Sequence, residues 1–458
     1  MCNYALVGKT NLNEGFPGYR GKALKFLKEV GAEVGDVVRV STAGETYEGV
    51  LIPRSEFGDD KHIVIKLRNG YNVGISVTPE TRIEKVGEGE KPTFSAPPMP
   101  RQKSTLPRVT ILSTGGTIAS RVDYRTGGVR PALSASDLYS VVPELANIAT
   151  IETEILFSVF SENINPQHWS QIAEKVASHV MAGVDGVVVA HGTDTMGYTA
   201  AALSFALQNL SVPVILVGSQ RSADRPSSDA ATNLIGAVKV AAEAPFAEVV
   251  VAMHESISDK AIVFHRGTKV RKCHTSRRDA FKSINATPLA RLEEDKLSIL
   301  AQSFRKRNAE KKTTVKPVFE EKVALLKFYP GIDAEAIEWY VSNGFRGIIL
   351  EGTGLGHVGS HCFSAIKEAV AEKVVVGMTS QCIWGRVNMN VYDTGRDLLE
   401  IGVVPLGDML PETALVKTMW ALGQTKDREE ARRLLTENVA NELCERTIYE
   451  ENSKSEDD

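Results

Sequence analysis

The chain has 458 residues, 43% hydrophobic and 24% charged, with a formal net charge of −4. At roughly 100–200 residues per domain that length allows two to four domains, and the near-neutral balance gives no reason to expect nucleic acid as a direct ligand. No apolar run approaches the roughly 20 residues of a membrane span, and the opening MCNYALVGKTNLNEGF lacks the apolar core of a secretory signal. The five cysteines (Cys2, Cys273, Cys362, Cys382, Cys444) show no CxxC spacing, which points to a reducing cytoplasm rather than a disulfide framework or a zinc site.

Taken in chain order, residues 36–86 contain the short Val/Ile-rich runs DVVRVST, TYEGVLIPRS, HIVIKLRN and YNVGISV. Asn69-Gly70 between the last two is a strong hairpin signal. Residues 1–86 are thus expected to form a small all-β, SH3- or Sm-like barrel domain. Pro, Gly, Ser and charge dominate 87–107, which reads as an extended linker. From Val109 apolar runs such as GVVVAHGTD, VPVILVGSQ and EVVVAMHE alternate with helical patterns such as QHWSQIAEKVASHVMAG and ATNLIGAVKVAAEA. This alternation predicts an α/β domain over 108–305, with a parallel sheet covered on both faces. The charged, pattern-poor stretch 306–321 reads as a second linker. VALLKFY, GIILEGTG and VVVGMTSQ, with helices between them, predict a smaller α/β domain over 322–437. Residues 438–458, ending in ENSKSEDD, read as an acidic tail.

Three segments carry chemistry. In Ile111-Leu112-Ser113-Thr114-Gly115-Gly116-Thr117 a strand runs into two glycines and a hydroxyl residue. Glycine lets backbone N–H groups approach a ligand at the carboxyl edge of a sheet, where open α/β folds bind ligands. In Val187–Thr195 a buried strand ends in His191-Gly192-Thr193-Asp194-Thr195. Thr117, and equally Thr193 and Asp194, could instead be helix caps. His191 reads as a structural strand-end histidine. The third segment, Gly267–Thr275, is basic, with Arg266, Lys269, Arg271, Lys272, Arg277 and Arg278 in and around it. A lysine there can act as a base if burial or neighbouring cations such as Lys269 and Arg271 favour its neutral form. The plain alternative is a solvated basic loop.

The combination and order of TGGTIA, HGTDT and a later Lys before TSRRDAFKS resemble the L-asparaginase family from about Val109 to about Asn438, with EGTGLGH and QTKD as further matches. The resemblance implies an asparaginase-like two-domain parallel-sheet core. It also implies that Thr117 attacks the side-chain amide carbon of glutamine or asparagine to form an acyl-enzyme. Thr193, Asp194 and Lys272 would form a second group that relays protons and activates water; Lys272 lies nine residues before Phe281 of AFKS, the family's spacing. Tyr124 would polarise Thr117 from a mobile loop. Ser161 and Glu162 of FSENINP would hold the substrate's α-carboxylate and α-ammonium, with Gly116 and Gly192 lining the site. Many secreted members carry Gln where Glu162 stands. The site would be completed by a neighbouring protomer, with Asn390–Asp393 as candidates for the contribution in trans, so at least a homodimer is implied.

Stand-alone members begin almost at TGGTIA, whereas about 108 residues precede it here. That layout, with VDYRTGGVRPALSASDL and QCIWGRVNMNVYDTGRDLLEIGVVPLGDM, resembles the D subunits of archaeal glutamyl-tRNA(Gln) amidotransferases. These release ammonia for a partner, the E subunit, which binds the mischarged tRNA and uses ATP and Mg to amidate it. The resemblance implies a D2E2 heterotetramer, contact with tRNA only through the complex, and neither cofactor nor metal in this chain. Two other readings are a free-standing cytoplasmic L-asparaginase and an RNA-binding adaptor with an inactive α/β part. The adaptor is disfavoured because residues 36–86 hold no clustered Lys/Arg with interleaved aromatics.

Overall fold

The computed structural model describes residues 16, 18–54, 59–67, 72–88, 105–115, 120–122, 129–131, 142–221 and 228–446. The hairpin signal at Asn69-Gly70, most of the 87–107 linker and the ENSKSEDD tail lie outside them. The chain divides into two compact units.

In the first unit, helix α1 (Gly21–Glu29) precedes five antiparallel strands: β1 (Val37–Ser41), β2 (Thr46–Leu51), β3 (His62–Leu67), β4 (Asn72–Ser76) and β5 (Arg82–Gly87). Their order is β4-β3-β2-β1-β5. The period of two turns Val38 and Val40 of β1, and Ile63 and Ile65 of β3, into one core. Helix α1 is an addition to the all-β domain expected from the sequence. It buries Ala23 and Leu27, one turn apart, on that same core. Tyr19, buried beside them, donates its hydroxyl to Ile52 O at 2.8 Å and accepts from Val64 N at 3.1 Å. Burial pushes its phenol well above the usual range. The short hairpin β7 (Ser120–Val122) and β8 (Val129–Pro131) groups with this unit.

The second unit holds an eight-stranded sheet. Its strands are β6 (Arg108–Ser113), β9 (Thr150–Ile155), β10 (Gly186–Ala190), β12 (Val214–Val217), β13 (Val249–His254), β14 (Ala261–Arg266), β17 (Ala290–Glu293) and β18 (Lys296–Ile299). They lie in the order β18-β17-β14-β13-β12-β10-β6-β9, and the five from β9 to β13 run parallel. Val188, Ala190, Ile215 and Val217 face helix α4 (Ala230–Glu243). Val187, Val189, Val214 and Leu216 face α2 (Pro166–Met181) and α3 (Met196–Ala206). Cover on both sides is why these strands read as continuous apolar runs. The far end extends the expected parallel sheet with antiparallel pairings of β14, β17 and β18. Short connections permit the β13–β14 and β17–β18 pairings, the second through the Glu293–Lys296 turn with Glu294 at φ 52°.

Helix α2 starts at a capping box. Asn165 Oδ1 accepts from His168 N at 3.1 Å, Asn165 N donates to His168 Nδ1 at 3.2 Å, and Pro166 occupies the first turn. Helix α3 is buried all round, because its second face meets the smaller domain, where Phe205 stacks on Trp420 at 5.9 Å. That domain is a four-stranded parallel sheet, β20 (Val323–Lys327), β21 (Gly347–Gly352), β22 (Val375–Ser380) and β23 (Val404–Pro405). It carries helices α5 (Glu335–Ser342), α6 (Phe363–Ala371), α7 (Asp393–Ile401), α8 (Pro411–Gln424) and α9 (Arg428–Thr436).

Two stretches that read as loose are fastened down. Within the connector, Arg307 donates to Ala242 O at 2.8 Å and to Asp185 O, and β19 (Thr314–Val315) pairs with β11 (Leu207–Gln208). The acidic tail does not begin at 438. Residues 438–446 form a strap in which fully buried Glu442 pairs with fully buried Lys417 of α8 and accepts from Val439 N and Ala440 N. Burial pushes the Lys417 amine down, and Glu442 pulls it back.

Candidate active site

Parallel strands present their carboxyl ends at one edge. The order β9-β6-β10-β12-β13 reverses direction between β6 and β10, and ligands bind at such a switch point. Those two strands carry the TGG and HGTD segments. Ser113 pairs with Ala190, and Thr114 donates to Ala190 O through both N and Oγ1 at 3.0 Å. Gly115 takes φ 112°, and a side chain there would meet Val159 O at 2.3 Å. Gly116, Thr117 and Tyr124 lie outside the described residues. The described parts of the two segments therefore meet at one edge.

On the β10 side, a Cβ on Gly192 would sit 2.8 Å from Ser161 Cβ, so this glycine lets the Ser161–Asn163 turn close over the strand end. Thr195 Oγ1 ties the turn down by donating to Ser161 O at 2.7 Å. Ser161 is buried, and Glu162 beside it is exposed and open to a ligand. Helix α3 begins after Thr195 with no side-chain cap, so Thr193 and Asp194 are not spent on capping it.

They are spent on Lys272. Strand β15 (Val270–Lys272) pairs with β16 (Phe281–Ser283), Lys272 opposite Phe281. Lys272 Nζ donates to Thr193 Oγ1 at 2.9 Å and to Asp194 Oδ1 at 2.7 Å. The Lys272 side chain is 15% exposed and that of Asp194 68%. An ion pair this open contributes little stability. Its weight is geometric: an amine, a hydroxyl and a carboxylate share one contact. Contrary to the sequence expectation, Lys269 and Arg271 do not press on Lys272 as free neighbouring cations, because both are neutralised elsewhere. Lys269 is fully buried against Asp408 at 2.7 Å, and Arg271 pairs with Glu412 at 3.1 Å. Nor is the segment simply a solvated basic loop, since Lys269 belongs to the core.

Both ring nitrogens of His191 are engaged within the fold. Its Nδ1 bonds Gly192 O at 2.6 Å and its Nε2 faces Thr199 Oγ1 at 2.9 Å, while burial lowers its pKa to about 4, so it stays neutral. Asn390–Asp393 are exposed at the start of α7, and among the described residues they make no hydrogen bond to the Lys272 group. One feature of this edge went unread in the sequence: Gln220, past β12, has a buried Nε2 with no partner among the described residues. A single Gln after a Gly-Ser gives no pattern to find it by. Among the described residues no cluster of three or more His, Cys, Asp or Glu could hold a metal, and no helix is long and apolar enough to cross a membrane.

Comparison with known proteins converges on one family. Residues 108–305 match the asparaginase N-terminal model, residues 322–435 the glutaminase/asparaginase C-terminal domain and residues 32–86 the GatD N-terminal domain. The glutamyl-tRNA(Gln) amidotransferase D subunit of Metallosphaera sedula is 53% identical, over 93% of this chain and 96% of that protein. The corresponding D subunit of Methanothermobacter thermautotrophicus is 50% identical, over 94% and 98%. The thermostable L-asparaginase of Thermococcus kodakarensis superposes with a TM-score of 0.65 at 35% identity, covering 74% of this chain and 99% of that one. The chain belongs to the asparaginase family and, within it, to the D subunits of the glutamyl-tRNA(Gln) amidotransferases.

Proposed function

We propose that the chain is the ammonia-generating subunit of a tRNA-dependent amidotransferase, hydrolysing the side-chain amide of glutamine, or of asparagine. The observation that carries this is the contact of Lys272 Nζ with Thr193 Oγ1 and Asp194 Oδ1, at 2.9 and 2.7 Å, beside the strand end that leads to Thr117. Amides are poor electrophiles, so hydrolysis needs an activated nucleophile, N–H donors at the developing oxyanion and a proton for the leaving ammonia. In this reading Thr117 Oγ attacks the amide carbon, Gly116 and Gly192 line the oxyanion side, and Tyr124 polarises Thr117. Ammonia leaves with a proton, and an acyl-enzyme remains. Thr193, Asp194 and Lys272 relay protons and activate the water that cleaves it. Ser161 and Glu162 hold the α-carboxylate and α-ammonium of the amino acid.

The chain itself needs no cofactor in this scheme. ATP and Mg serve the partner, the E subunit, which binds the tRNA and amidates Glu-tRNA(Gln). We assign the chain to a homodimer inside a D2E2 heterotetramer in the cytoplasm. A free-standing asparaginase accounts for only part of the sequence, since the asparaginase likeness covers 74% of it and the 32–86 segment matches a domain of the amidotransferase D subunit. Ammonia release from glutamine and asparagine, measured with and without partner and mischarged tRNA, tests the choice. Low release by the chain alone and a large stimulation by partner and tRNA are expected. Full activity of the isolated chain on asparagine, unaffected by partner, contradicts it.

A further inference from the structure

The strand that delivers Lys272 is a weak support by itself. It spans only Val270–Lys272, and among the described residues its one ladder is to β16. A two-stranded ribbon of this length is marginal. Val270 and Phe281 bury it on the large domain's core, and further ties come from the smaller domain and the C-terminal strap. Thr268 Oγ1 donates to Ala440 O at 3.0 Å, and Thr413 Oγ1 donates back to Thr268 O at 3.0 Å. Lys269 Nζ donates to Asp408 Oδ2 at 2.7 Å, with side chains 0% and 3% exposed. The other oxygen of Asp408 accepts from Cys444 N at 2.9 Å, and Asn285 Nδ2 donates to Asp408 O at 3.2 Å. Two residues on from Lys269, Arg271 Nε meets Glu412 Oε1 at 3.1 Å, also in the smaller domain.

The cations at 269, 271 and 272 are thus sorted. Two are taken by carboxylates of the smaller domain, and only Lys272 is turned to Thr193 and Asp194. A fully buried ion pair is an unpromising source of stability, because desolvating two charges offsets most of their attraction and apolar side chains of similar volume do as well. Its better-attested use is to select one geometry. We propose that Lys269–Asp408, with Arg271–Glu412 as a second tether, is a positioning device. It pins the strand to the smaller domain and the strap so that Lys272 Nζ reaches both of its partners. This rests on the reading of Lys272 as part of the hydrolytic group.

The test uses the complete complex and the variants Lys269→Met, Glu412→Gln and Lys272→Met. Displacing a catalytic group by about 1 Å can cost roughly a hundredfold in rate. Lys269→Met should therefore lower kcat for glutamine hydrolysis about ten- to a hundredfold, with KM within about twofold. Amidation driven by added ammonium chloride should stay at the wild-type rate, which a general loss of structure would not allow. Glu412→Gln should lower kcat in the same direction by about two- to fivefold. A folded Lys269→Met complex with wild-type kcat, or one that changes KM alone, overturns the proposal. If Lys269→Met does not fold, Glu412→Gln decides, and unchanged kcat there overturns it. Glutamine hydrolysis surviving in Lys272→Met defeats the underlying reading of the site instead.

Discussion

At the scale of single residues, the site depends on small side chains as much as on reactive ones. Gly192 leaves room for Ser161, and a methyl group there lands 2.8 Å from Ser161 Cβ. Gly192→Ala should push the Ser161–Glu162 turn outward, lower stability by about 1–3 kcal/mol and raise KM for glutamine. An unchanged KM means that the turn does not bind substrate. Glu162, exposed at the mouth of this edge, is assigned to the α-ammonium. A hydrogen bond to a charged group is worth about 1.5–3 kcal/mol, so Glu162→Gln should raise KM by roughly tenfold or more and change kcat far less. Steady-state kinetics that leave KM where it was reduce Glu162 to a surface carboxylate. Motif and contact coincide at Thr193, Asp194 and Lys272, which the sequence grouped and the structure brings together. What stayed hidden was the electrostatic setting of Lys272. The partners of Lys269 and Arg271 lie 139 and 141 positions away, at Asp408 and Glu412, beyond any local pattern.

At the scale of elements, the alternation of Val-rich runs with helical patterns marked β6, β10, β12 and β13 because each is buried on both faces. The antiparallel end, helix α1 and the strap 438–446 were not marked. The strap is held largely through backbone oxygens, such as Ala440 O to Thr268 and Val439 O to Arg305, and such bonds leave no trace in side-chain pattern. The β15–β16 ribbon is also tied to the sheet by His265 of β14, whose Nδ1 meets Ser283 Oγ at 2.8 Å. Burial pushes His265 down to about 3, and its Nε2 has no partner among the described residues, so protonation would bury an unsatisfied N–H. The folded state therefore binds this proton less readily than the unfolded one. Stability contributed by the neutral ring is complete above the unfolded value of about 6.5 and declines as pH falls from there towards 3. The slope is roughly 1.4 kcal/mol per pH unit. Denaturant melts between pH 7 and 4 should show a shallower decline in His265→Asn than in wild type, and parallel curves would contradict this.

At the scale of the whole molecule, the asparaginase-type body and the preceding β unit match different family models. Motif order made the body readable, and the extra residues before TGGTIA made the amidotransferase type readable. How the chain meets its partner is written in no local pattern. Removing the residues before Leu106 should leave a folded dimeric core that still releases ammonia while binding the partner more weakly. Loss of the dimer on truncation would mean that the β unit builds the core interface. The most direct measurement is made on the whole complex carrying Lys272→Met, a substitution that removes the amine and keeps the aliphatic stem. Losing a member of a catalytic group costs on the order of a thousandfold or more. Glutamine-dependent amidation of Glu-tRNA(Gln) should collapse, while amidation driven by ammonium chloride continues at the wild-type rate. Retained glutamine-dependent activity, or failure with ammonium in an intact complex, would contradict the assignment of this chain as the source of ammonia through Lys272.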